Sequence, residues 1–267
     1  MKSILRIAPL MLVLVLTGCA SYGRWSKKVG AFSTNTAPAL NRASAALNAA
    51  NAVHTLQEET VLANQYAERG YRPGELTAFM SQSDLAARKQ AIDALTNYAT
   101  LVGDLALGKR VQAETTRAKV LSAAKATTSA APSSKTKSLT QQQMNYALSG
   151  LDIVFKAQIE HKVRKKLPVI MAKADPSVQQ ICSLLEADME TLRSQEKADY
   201  ITLLMQQNEF IRQDGGSMGA VEKQAQIMKL FQIEQDAATA DADLMKAEKA
   251  LKQVAEAHHA LVVGGVK

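Results

Sequence analysis

Glu256, His258 and His259 fall within one helical turn, and His54 stands four residues before Glu58, so each set could present metal ligands from one helix face. Glu256-Ala257-His258-His259 contains one E-x-x-H pair, whereas a di-metal centre in a helical bundle draws on two such pairs and two further glutamates. Asn51 and Gln158 occupy the positions three before His54 and His161, so the second pair is missing. A single i,i+3 or i,i+4 pair arises by chance in helices rich in Glu. The expectation is therefore that no metal or other cofactor is bound, with His54 and His258 partly buried on helix seams and His259 at the surface. Glu58 and Glu59 are adjacent and diverge by about 100° around a helix, so they cannot act as acid and base on one substrate. There is no G-x-S-x-G, Walker A loop, dinucleotide fingerprint or C-x-x-C, and no catalytic residue is assigned. Cys182, flanked by Ile181 and Leu184-Leu185, reads as a small buried apolar residue and not as a reactive thiol.

The elements that must carry these residues are helices. Hydrophobic residues make up 47% of the 267 positions and aromatic residues only 4%, a helix-former's composition. A first helix is expected from near Thr36, with Pro38 in its first turn, to about Arg69; Ala46, Ala49, Val53, Leu56, Thr60, Ala63 and Ala67 recur on it at steps of three and four. Gly70 and Pro73-Gly74 break it, and a second helix carrying Leu85, Ile92, Leu95, Ala99 and Val102 completes a helical hairpin. Residues 127–138 are the one low-complexity stretch and read as a linker. A third helix, capped by Thr140 and Gln143, bears Met144, Leu148, Leu151, Phe155 and Ile159 and is expected to end or kink at Pro168. The cations Lys162, Arg164, Lys165 and Lys166 just before that proline suit a helix C-terminus.

Asp175-Pro176 then looks like the cap and first turn of a fourth helix, with Val178, Cys182, Leu185, Met189 and Leu192 on one face. The polar run from Arg193 to Asp199 is expected to interrupt that face as a stutter or an exposed turn. After Gly215-Gly216, the last helix, expected over 218–262, carries the cleanest seam. Leu230, Ile233, Ala237, Ala240, Leu244, Ala247, Leu251, Val254, His258 and Leu261 follow steps of three and four without a miss. Its antiparallel partner across the Gly-Gly turn is the fourth helix.

The N-terminus combines a basic start (Lys2, Arg6), a short apolar run over 7–16 and the tetrad Leu16-Thr17-Gly18-Cys19. The apolar run is too short for a comfortable membrane span and has the form of a secretory signal. The tetrad resembles the lipobox of bacterial lipoproteins, and all four positions match. The resemblance implies that Cys19 carries thioether-linked diacylglycerol, becomes the mature N-terminus and is N-acylated, for example with palmitate. Several chains on one residue make a permanent tether, where a single chain gives only marginal binding. Ala20 and Ser21 after the cysteine resemble an outer-membrane address. Formal net charge is +7, and removing Lys2 and Arg6 with the signal leaves +5. Export argues against a nucleic-acid partner and in favour of anionic lipid or an acidic envelope component. Tyr22, Arg24, Trp25, Lys27 and Lys28 suit a membrane interface or a solvated spacer equally well.

The reading is an all-α protein of long antiparallel helical hairpins forming an elongated bundle or coiled coil. Residues 1–18 form the lipoprotein signal peptide, 19–35 a membrane tether, 36–126 an N-terminal hairpin, 127–138 the linker and 139–267 a C-terminal long-helix region. The expected function is that of a non-enzymatic adaptor, lipid-anchored through Cys19 at the periplasmic face of the outer membrane. It would bind an envelope protein, or a second copy of itself, along its bundle. The alternative is a metal- or small-ligand-binding bundle.

Overall fold

The computed structural model describes residues 7–70, 80–108 and 163–265, with side chains placed at 23–65, 80–81, 84–108 and 166–265. Four helices account for them: α1 (Ile7–Arg69), α2 (Gln82–Ala106), α3 (Val163–Asp214) and α4 (Ala220–Gly265), with no strand among the described residues. Two antiparallel hairpins, α1–α2 and α3–α4, pack together as one bundle, with α1 against both α3 and α4 and α2 against α3. The linker at 127–138 and the helix expected from Thr140 to Ile159 lie outside the described residues, as does His161.

Each boundary has a local cause. Ser81 caps α2, its hydroxyl accepting from Asp84 N at 3.1 Å and donating to Asp84 Oδ2 at 2.8 Å. Asn51 Oδ1 accepts from Met80 N at 3.0 Å, tying the start of α2 to the middle of α1. Where α1 crosses α2, a side chain at Gly103 would coincide with the Ser33 side chain, so the crossing requires glycine. Between α3 and α4, Gly215 N donates to Ile211 O at 3.0 Å, and a Cβ there would strike the same carbonyl.

The core is a stack of aliphatic layers. Leu40, Leu47, Met80, Leu95, Leu101, Leu167 and Met171 are its largest fully buried aliphatic side chains. The α3 face expected from the sequence is buried throughout: Val178, Cys182, Leu185, Met189 and Leu192. On α4 the predicted seam is buried at Leu244, Ala247, Leu251, Val254, His258 and Leu261 and only half-buried at Leu230, Ile233, Ala237 and Ala240. Core burial stops at Ala50 on α1, Leu203 on α3 and Leu244 on α4. Beyond that level no side chain of 204–214 or 220–243 is buried.

Several expectations are corrected. α1 does not begin near Thr36 but runs unbroken through Pro38. Trp25, Val29, Phe32, Thr36, Leu40, Ala43, Leu47 and Ala50 are buried at steps of four and three, so the seam extends back through the stretch that reads as aperiodic. Arg24, Lys27 and Lys28 occupy the exposed face between those positions and disguise the period. α3 passes through both Pro168 and Pro176. Each interior proline costs roughly 3 kcal/mol. Burial of Leu167, Ile170, Met171, Ala174 and Val178 on either side of them offsets that cost. The cations at 164–166 therefore lie on α3, which continues through them, and do not terminate a helix.

The polar run on α3 is neither a stutter nor an exposed turn. Glu196 and Asp199 are each 4% exposed, and Leu192, Glu196, Asp199 and Leu203 continue the seam at steps of four, three and four. The α3–α4 register is the same at Asp175–His259, Gln179–Ala255 and Arg193–Asp241 and shifts by one residue at Gln207–Gln226. Two carboxylic acids simply take core positions.

Candidate functional site

One polar network joins three helices inside the bundle. His258 on α4 is fully buried between Tyr98 of α2 and Asp175 of α3, with Tyr98 Oη 2.6 Å from its Nε2 and Asp175 Oδ1 2.8 Å from its Nδ1. The arrangement selects one tautomer: His258 Nδ1–H donates to the carboxylate, and the Tyr98 hydroxyl donates to Nε2. His259 Nδ1 donates to Asp175 Oδ2 at 2.7 Å from the exposed side, and Gln179 Nε2 donates to Asp175 Oδ1 at 3.3 Å and to Ala255 O at 2.8 Å. Phe32 of α1 closes the fourth wall, its ring 5.6 Å from the imidazole.

The electrostatics follow from this packing. Burial, reinforced by the charge of Asp175, holds the Tyr98 phenol well above its ordinary range and keeps it a donor. Burial also pushes His258 down, against the pull of Asp175. For Asp175 burial alone would act upward, but hydrogen bonds from His259, His258 and Gln179 hold the carboxylate below its usual value. A Tyr-His-Asp chain has the parts of a proton relay, yet Tyr98 at 1% and His258 at 0% exposure are closed off, and the network meets solvent at His259 and slightly at Asp175. Its evident role is to fix the positions of α2, α3 and α4 against one another.

The residues considered as metal ligands do not converge. Glu256 is exposed while His258 is buried, and both histidines are bonded to Asp175. His54 Nδ1 donates to Asp199 Oδ2 at 3.1 Å, with Gln195 Nε2 on the other oxygen at 2.9 Å. No group of three or more His, Cys, Asp or Glu among the described residues is arranged to hold a metal ion. Cys182 is fully buried, and burial, with Glu186 adding to it, pushes its thiol up to about 12, as suits an inert core residue. The side chain of Cys19 lies outside the described residues.

Sequence reasoning missed three further features. Arg88 and Asp188 form a buried two-point ion pair, Nε to Oδ2 at 2.8 Å and Nη2 to Oδ1 at 3.0 Å, and Arg88 Nη1 also donates to Asp84 O at 3.2 Å. Glu196 is buried with its Oε1 lacking any hydrogen-bond partner, and burial with the charges of Asp199, Asp241 and Asp243 raises it from 4.5 to about 7. The third feature is apolar. Past the end of the core, Met205, Phe210, Val221, Met228 and Phe231 are exposed, Met228 and Phe231 at 58% each. Only the four-three-four spacing of Leu192, Glu196, Asp199 and Leu203 could have signalled the second of these.

No helix among the described residues is long and apolar enough to cross a membrane. Comparison with protein-family models, curated proteins and solved structures gave no match to this chain.

Proposed function

We propose that this protein is a lipid-anchored, non-enzymatic adaptor of the cell envelope, held by acylated Cys19 at the periplasmic face of the outer membrane. It would grip a protein partner with the far part of its α3–α4 hairpin. The observation that carries this reading is the separation of two ends. Trp25, the first buried side chain among the described residues, donates from Nε1 to Leu261 O at 2.9 Å, and Ser26 Oγ donates to Ala106 O at 2.6 Å. The anchor end thus coincides with the C-termini of α2 and α4. The Gly215-Gly216 turn lies at the other extreme, about 65 Å away along α4 at ~1.5 Å per residue. The exposed Met205, Phe210, Val221, Met228 and Phe231 cluster toward that distal end. Apolar side chains grouped at the remote end of an anchored rod suit the capture of a partner helix or groove.

Photocrosslinkers placed at Met228 and Phe231 in intact cells test the reading, with Lys252 on the body as the control position. The expected result is one envelope protein captured from both distal positions and not from Lys252, with capture lost in Cys19→Ser. Mass spectrometry should show a mature N-terminus at Cys19 bearing acyl chains. An unacylated N-terminus, or equal capture from Lys252, overturns the proposal.

A further inference from the structure

At the anchor end the bundle carries a second kind of exposed surface. Phe32 of α1 lies level with Asp175 of α3 through His258, and His54 lies level with Asp199, so α1 and α3 run parallel in one register. Followed down toward Cys19, that register sets Lys166, Val169 and Lys173 of α3 beside residues 23–30 of α1. The ends of α2 and α4 come to the same level, with Leu107 against Gly30 and Gly265 against the Trp25 ring.

Arg24, Lys27, Lys28, Lys166 and Lys173 are all exposed there. So are Leu107, Val169 and Val263, at 52%, 55% and 53%, one each from α2, α3 and α4. Carboxylates are scarce. No acid precedes Glu58 in the chain, none stands on α3 before Asp175, and Asp104 is the only acid of this level among the described residues. Cations beside the C-termini of α2 and α4 offset the helix dipoles. That accounts for part of the charge and for none of the exposed apolar groups. The groups come from all four helices at one height, which matches a flat partner crossing the rod axis and not a point ligand. Cations interleaved with apolar side chains suit the boundary of an anionic bilayer, where phosphates and acyl chains meet the two kinds of group.

We propose that this collar binds anionic bilayer lipid and holds the rod upright with its base in the headgroup layer. The lysines and Arg24 donate to lipid phosphates, while Leu107, Val169 and Val263 enter the boundary with the acyl chains. The inference deepens the anchored reading above, since Trp25 lies only about 9 Å past Cys19 along α1 at ~1.5 Å per residue. It does not depend on acylation, because charge and apolar burial act on any copy that reaches the surface.

Flotation with lipid vesicles tests this on the chain from Ala20 onward, which keeps every buried side chain among the described residues and has no acyl group. Vesicles of equimolar phosphatidylglycerol and phosphatidylcholine are expected to bind it roughly tenfold or more tighter than phosphatidylcholine alone, with binding weakened by salt. A basic residue near an anionic surface contributes about fivefold, so Lys27→Gln with Lys28→Gln should weaken binding roughly tenfold or more. Lys223→Gln with Lys229→Gln near the distal turn changes net charge equally and should have little effect. Val169→Asn with Val263→Asn, at constant charge, should weaken binding several-fold. Circular dichroism and melting of the truncated chain and of each variant confirm that the fold persists. Three results each overturn the proposal: no preference for the anionic vesicles, equal loss from the distal lysine pair, or unchanged binding in the valine pair, which marks adsorption by charge alone. With no acyl group present, these outcomes are separate from mass spectrometry of the mature N-terminus, which tests the anchor itself.

Discussion

The Tyr98 hydroxyl donates to His258 Nε2 across 2.6 Å with neither residue reaching solvent, so a single hydrogen bond couples α2 to α4 in the centre of the bundle. Removing it leaves a buried imidazole nitrogen with nothing to accept. Tyr98→Phe keeps the ring and its packing and is expected to lower stability by about 1–3 kcal/mol. Urea denaturation checks this; a change below about 0.5 kcal/mol would contradict the role assigned to the bond.

The same imidazole makes the bundle acid-sensitive. His258 is lowered by burial, so its contribution is full above the ordinary histidine value of 6.5 and is lost as pH falls through that value toward the folded one. Asp175, also lowered, contributes above its ordinary 3.8 and loses that contribution as pH falls further. His258→Gln is expected to be less stable than the parent at pH 8 and to lose less on going to pH 5. Denaturation at the two pH values measures both.

Glu196 has the opposite sign. Its folded value of about 7 stands above the ordinary 4.5, so its contribution is full below 4.5 and declines as pH rises toward 7. Glu196→Gln is expected to raise stability at pH 8 by about 1–3 kcal/mol and to change little at pH 4. Equal effects at both pH values would show that the carboxyl group ionises freely.

Arg88 and Asp188 are each nearly buried, with side chains 3% and 8% exposed. Arg88→Met or Asp188→Leu alone strands a charge in the core and should cost about 3–5 kcal/mol. The double variant should recover most of that loss. A double-mutant cycle on unfolding free energies tests the coupling.

Gly103 of α2 packs directly against Ser33 of α1. Gly103→Ala drives a methyl group into Ser33 and is expected to cost about 1–3 kcal/mol, with partial rescue by Ser33→Gly. Thermal melting of the single and double variants decides it.

Much of this architecture is legible in the residues themselves. The α4 seam from Leu244 to Leu261, the Gly215-Gly216 turn, the α1–α2 hairpin and the burial of Cys182 all follow from periodicity and breakers. Three things are hidden for physical reasons. Prolines at 38 and 176 read as helix starts and Pro168 as a stop, because local propensity disfavours proline in a helix interior, whereas apolar burial on both sides carries the helices through. Glu196 and Asp199 read as a break because a pattern based on hydrophobicity cannot count a buried acid. His258 and His259 stand out as a motif, but their partner Asp175 is distant in sequence, and only the antiparallel register of α3 and α4 brings them together.

Core burial that stops at Ala50, Leu203 and Leu244 gives the rod two mechanical regimes. Below that level, opening any helix means tearing layered aliphatic packing and a buried ion pair. Above it, a half-buried seam at Leu230, Ile233, Ala237 and Ala240 and local contacts such as Gln207 with Gln226 resist separation less strongly. A load applied at the Gly215 turn would unzip the hairpin backward and arrest at the Leu203 and Leu244 layer, so the far end yields like a spring while the base stays stiff.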